Sequence, residues 1–196
     1  MGVNTGASVA AAGPALGGGL SYATLGTPVP TDATTPLNEA FKRLGPVHKD
    51  GVTPGQSTNL QPVEEWGGDV IANLQESETR TFETVLYGYF DPDVRAWIHR
   101  AENVTVTPAT ALSGMTLAVL DKGGKPDMCV LVLDMVSQNG DPMRQVIEQA
   151  DTVVSSRGPF NKTSLNQWGI TVTAFKTAAG VYMAEYAVDN STKLSA

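Results

Sequence analysis

The side chains able to do chemistry are few, and their spacing keeps them apart. His48 lies in a loop-like context and His99 at the end of a short helical pattern, so each reads as a solvated or capping residue. Cys129 is the single cysteine and sits in an apolar strand, Met128 to Met135. There a thiol acts as a small buried hydrophobe and has no partner for an intrachain disulfide. No two histidines or cysteines stand at zinc-ligand spacing. Gly17-Gly18-Gly19 lacks the lysine and the preceding strand of a phosphate-cradling loop, and Ser113 lacks the first glycine of a nucleophile elbow. Glu64 and Glu65 are adjacent, and neighbours in an extended chain point to opposite faces, so they cannot converge as an acid/base pair. They read as a solvated loop edge. Trp66, Trp97 and Trp168 read as core anchors. No enzyme, cofactor or metal is expected.

Composition narrows the class further. A chain of 196 residues suits one domain with an apolar content near the globular norm. A net charge of −7 disfavours gripping nucleic acid or an anionic membrane, both of which need clustered bases. No apolar run approaches the ~20 residues that span a bilayer. The first basic residue is Lys42, so no charged signal-peptide start is present, and the protein is expected to stay in a cytoplasm.

The elements that must position these residues are mostly strands. Residues 1–36 are Gly, Ala, Thr and Pro with few large side chains, and read as a flexible arm from which Leu20, Tyr22 and Leu25 could anchor on a neighbour. Residues 191–196 read as a loose tail, leaving 37–190 as the folded domain. From about His48 to Val63 the chain is a long polar excursion without periodicity. Asp69–Gln75 alternates, with Val70, Ala72 and Leu74 on one face, and Glu76-Ser77-Glu78 reads as a turn into a second strand, Thr79–Phe90. Strands follow at 115–120 and 128–136, the latter apolar on both faces, then an Asn139-Gly140-Asp141 hairpin turn. A final pair covers 169–176 and 181–188. One helix is well signalled: Asp91 caps it, Pro92 opens it, Asp93 suits its positive end, and Val94, Trp97 and Ile98 form its apolar stripe. Residues 141–150 fit either a second helix or a strand returning from the hairpin turn.

Several blocks together resemble the major tail (tube) proteins of siphophages that infect actinobacteria. They are Arg43-Leu44-Gly45 through Asp50-Gly51-Val52, then Trp66-Gly67-Gly68-Asp69-Val70. Leu133 to Val136 with its Asn-Gly-Asp turn and Arg144–Val154 follow, then Gly169–Phe175 and Tyr182–Tyr186. Their order and spacing span roughly residues 40–190. Pro46 and His48-Lys49 depart from an aromatic and an acidic pair common in the family, and the first 36 residues are longer than expected. The resemblance implies a mainly β fold, an antiparallel sandwich or barrel with one short flanking helix, and makes 143–154 a strand.

It also implies a structural virion protein, made in the host cytoplasm. Six copies would form a ring and rings would stack into the tube that carries DNA, with tape measure, tail tip and terminator proteins as further partners. An acidic lumen would let DNA slide without sticking, with Asp69, Glu76 and Glu78 as candidate lining residues. Leu20, Tyr22, Leu25, His48, Lys49 and Gln56 are candidate contacts between subunits. A tail terminator or other ring of an injection machine is the alternative within that class, and a monomeric sandwich binding module the alternative outside it.

Overall fold

The computed structural model describes residues 12–15 and 19–190. Eleven strands are laid out in chain order: β1 (Ala12–Pro14), β2 (Leu20–Thr24), β3 (Lys42–Arg43), β4 (Val47–Glu64), β5 (Val70–Leu86), β6 (Val104–Thr107), β7 (Thr116–Val119), β8 (Cys129–Ser137), β9 (Pro142–Arg157), β10 (Trp168–Ala174) and β11 (Ala184–Ala187). One helix, α1 (Pro92–His99), and a single 3-10 turn, Ala101–Asn103, lie between β5 and β6. The fold is mainly β, with antiparallel pairing and no closed barrel.

Nine strands share one sheet: seven follow the order β3-β2-β8-β9-β10-β5-β4, β1 adds to β8 and β11 to β9, while β6 and β7 form a separate ribbon. β9 is the axis of this sheet. Its first half pairs with β8 on one edge and β11 on the other, and its second half pairs with β10. Register shifts break β8–β9 near Cys129 and β9–β10 near Gly169. Such bulges add local twist and let one strand serve two sheet halves. The two halves face each other across one core: Leu20 and Leu131 come from the β2–β8 half, and Phe82, Ile170 and Val172 from the β5–β10 half. Sandwich-like packing follows from that curl.

α1 closes one end of the core. Asp91 accepts hydrogen bonds from the amides of Asp93 and Val94, Pro92 fills the first turn, and Val94, Trp97 and Ile98 are buried, as the sequence leads one to expect. Trp97 Nε1 donates to Cys129 Sγ at 3.5 Å, tying helix to sheet. Residues Cys129 to Val132 are all buried, so β8 is covered on both faces. The loop after β2 supplies part of the outer cover: Arg144 donates to the carbonyls of Asp32 and Thr35 and pairs with Asp134 beneath them.

Four expectations are corrected by these elements. The polar excursion from His48 to Val63 is one long strand, β4, paired with β5 almost to its end. No turn occurs at Glu76-Ser77-Glu78, because β5 runs unbroken through them. The strands of the final pair, 169–176 and 181–188, are not mates; β10 and β11 take consecutive stretches of β9. Part of the supposed flexible arm is core, since β2 pairs with β8 and buries Leu20 and Ala23. Of that arm, residues 1–11 and 16–18 lie outside the described residues, as does the 191–196 tail. Residues 143–154 are strand, as the resemblance implied.

Candidate functional site

The chemistry-bearing residues stay dispersed. His48 sits in a bulge, where three extra residues of β4 loop out between Val47 and Val52 and Gly51 takes a φ of 72°. Its Nδ1 lies 3.0 Å from the Asp50 carboxylate and 3.3 Å from the Asp50 amide. A cleft beside it contains Ser155 and Ser156, but neither is hydrogen-bonded to His48, so there is no charge relay. Of the two readings for His99, solvated or capping, the solvated one fails: the residue ends α1, but its side chain is 6% exposed and 3.9 Å from Asp121. Burial, reinforced by the Arg95 and Arg157 cations, holds it below the ordinary histidine range. Burial likewise raises the Cys129 thiol, which opposes the thiolate a nucleophile needs. Among the described residues no three of His, Cys, Asp and Glu gather as metal ligands would.

What the fold does present is an arm. β10 pairs with β5 only as far as Arg80, and beyond that rung β4 and β5 have no further strand partner among the described residues. Residues 70–79 then extend the hairpin about 33 Å at ~3.3 Å per residue. A turn closes it, with Glu65 N donating to Asp69 O and Gly68 N to Glu65 O, both at 2.9 Å. Gly68 adopts a φ of 88°, which a side chain would resist. Large apolar groups on the arm stand in the open: Leu60, Val70, Ile71 and Leu74 are each more than half exposed. Trp66, expected in the core, is fully exposed at the tip. Residues 57–79 carry Glu64, Glu65, Asp69, Glu76 and Glu78 and no basic side chain.

The arm's root is clamped. Arg80 pairs with Glu78 at 2.6 Å and lies over the Tyr182 ring, whose other neighbour is Lys176. Tyr182 OH donates to the Glu78 carbonyl at 2.9 Å. Sequence reasoning missed this cluster, because its members are about 100 residues apart and only pairing on β9 brings β11's approach beside β5.

The candidates separate accordingly. Asp69 is exposed in the tip turn. Strand alternation puts Glu78 on the face of β5 that also carries Phe82, where Arg80 offsets it, while Glu76 sits at the register shift between Asn59 and Leu60 and accepts from Asn59. Leu20 is buried and cannot touch a neighbour. Tyr22 is partly buried against the core: its OH donates to Asp93 O at 3.3 Å and its ring is 5.9 Å from Trp97. Leu25 is half exposed in the turn after β2. Lys49 points to solvent and pairs with adjacent Asp50 at 2.7 Å. Gln56 faces Arg80 at the arm's root.

No family model matches the chain, and no curated protein matches it. No helix among the described residues is long and apolar enough to cross a membrane.

Proposed function

We propose that this chain is a self-assembling structural subunit, of the kind that forms the tail tube of long-tailed bacteriophages. One observation carries the reading: a hairpin arm stands off the body with a fully exposed tryptophan at its tip and open apolar side chains along both strands. An isolated two-stranded hairpin is marginal in water. Exposed apolar surface of this kind marks an interaction site. A second copy is the economical partner, because a contact between unlike surfaces of identical chains repeats, closing into a ring or continuing as an open tube. The resemblance blocks add support, since Trp66-Gly67-Gly68-Asp69-Val70 forms the arm's tip turn and the start of its return strand.

In such a tube the wall facing DNA should lack bases. The outward face of the β4–β5–β10 rungs meets this condition: Thr53, Glu83 and Thr171 lie on one rung, Gly55, Thr81 and Thr173 on the next. Hydroxyls and a carboxylate there would hydrate the wall without holding phosphate. Glu78 turns away from that face, so Glu83 joins Asp69 and Glu76 as a candidate lining residue on this side. Tape measure, tip and terminator proteins would meet the assembly at its ends.

The purified protein is expected to form rings or tubes visible by negative-stain electron microscopy, with a matching rise in mass by light scattering. Persistent monomer at high concentration, even with a tail-tip initiator, overturns the reading. A discrete monomer that binds glycans instead would identify a binding module.

A further inference from the structure

The end of the body opposite the arm carries a buried guanidinium nitrogen that the described residues leave without a partner. There the rung Leu86–Trp168–Arg157 closes the β5–β10–β9 half, whereas the arm leaves from the Arg80–Ala174 rung. The Arg95 guanidinium lies 4.9 Å from the Tyr89 ring centre and 5.3 Å from that of Trp168. Its Nε is buried with no hydrogen-bond partner, and among the described residues no carboxylate reaches it within 4 Å. Arg157 and His99 both turn to one acid, Asp121, at 3.1 and 3.9 Å. Lys162 is exposed in the adjoining loop between β9 and β10. Arg95 and Arg157 therefore both have Asp121 as their nearby carboxylate. Aromatic surface accompanies them: Phe90 and Phe160 pack edge-on to Tyr89 and remain 76% and 72% exposed.

The arm tip is the complement of this end in both charge and shape of chemistry. It offers Glu64, Glu65 and Asp69 around an uncovered Trp66, with no base between residues 57 and 79. We infer that the cationic, aromatic end of one copy receives the arm tip of a second, its acids pairing with Arg95, Arg157 and Lys162 while Trp66 packs against Phe90 and Phe160. This rests on the self-assembly reading and adds the receiving surface to it. The contact is head-to-tail, since donor and receiver occupy opposite ends of the same half-sheet. Buried Arg and aromatic side chains are the usual anchors of protein interfaces, and a desolvated acid reaching Arg95 would supply the partner its guanidinium lacks. Exposed pairs at the rim are screened by salt over roughly 8 Å at physiological ionic strength, so assembly should weaken as salt rises.

Charge reversal on each side tests the pairing. An arm variant (Glu64→Lys, Glu65→Lys, Asp69→Lys) and an end variant (Arg157→Glu, Lys162→Glu) are each expected to lose assembled mass at least tenfold by light scattering, with melting curves unchanged. Mixed one to one, the two variants should co-assemble in alternation, because each arm then meets an end of opposite charge on the other variant. A chain carrying both reversals should assemble again. If wild type stays monomeric at all concentrations, this inference and the self-assembly reading fall together. If wild type assembles but the single-side variants assemble equally well, or the doubly reversed chain is not restored, the arm docks elsewhere and only this inference is lost. Tight binding of a single-stranded DNA oligonucleotide, abolished by the end variant while assembly is untouched, would assign the end to nucleic acid and overturn the pairing.

Discussion

His99 shows how far a single residue can depart from its local context. A histidine at a helix C-terminus ordinarily gains from the dipole and keeps its proton. Here the side chain is enclosed, and burial with Arg95 and Arg157 nearby outweighs the pull of Asp121. Its folded pKa lies below the ordinary 6.5, so the unfolded chain takes up the proton first as pH falls. Stability from this group is present above 6.5 and is lost as pH drops through the depressed folded value. The urea midpoint should therefore be lower at pH 5.5 than at pH 7.5, and His99→Gln should flatten that slope. An unchanged slope in the variant would show that other groups set the acid limb. Tyr22 works at the opposite extreme: burial first, and then Asp93, push its hydroxyl up to about 12. Neither shift is visible in sequence, because each depends on burial and on groups brought in from far along the chain, Arg157 beside His99 and Asp93 beside Tyr22.

Elements were legible in proportion to the one-sided burial they carry. α1 was readable because its cap, its proline and its apolar stripe are all local. β8 was readable because an unbroken apolar run signals cover on both faces. β4 was not, and the reason is physical: neither of its faces is buried against the body beyond Gln56, so selection for alternation is absent. Period 2 is a record of burial, and an arm in solvent leaves none. The same holds at Glu76-Ser77-Glu78, where three polar residues resemble a turn only if a strand is assumed to need an apolar face. β2 was hidden by its length, five residues within a Gly/Ala-rich stretch, though Leu20 sits fully buried between β3 and β8. Deleting residues 1–36 should consequently unfold the body rather than merely trim an appendage. Leu20→Ala alone should cost about 2–5 kcal/mol, the range for emptying a buried leucine site. Chemical denaturation of both would check this; a cooperative, wild-type-like transition in the deletion would mean β8 can close its edge without β2.

At the scale of the whole molecule, body and arm answer to different requirements. The body is held by a core drawn from both halves of the curled sheet and by the Arg144 cluster with Asp134, Asp32 and Thr35. The arm contributes nothing to that core: between residues 57 and 77 every side chain except Val63 is exposed. Its shape is maintained by ladder bonds and by the Arg80–Glu78–Tyr182 clamp at the root, which sets the angle at which it leaves. Replacing residues 57–79 with Asn-Gly would join Gln56 to Arg80, already cross-strand partners, through a two-residue turn suited to a hairpin. The shortened protein should melt within a few degrees of the parent, because surface segments away from the core change stability by only about 0.5 kcal/mol. Assembly, by contrast, should vanish at every concentration that supports it in the full chain. Calorimetry and light scattering on the same sample separate the two effects. A large fall in melting temperature would make the arm part of the folding unit, and assembly without it would move the joint to the free edges of the sheet.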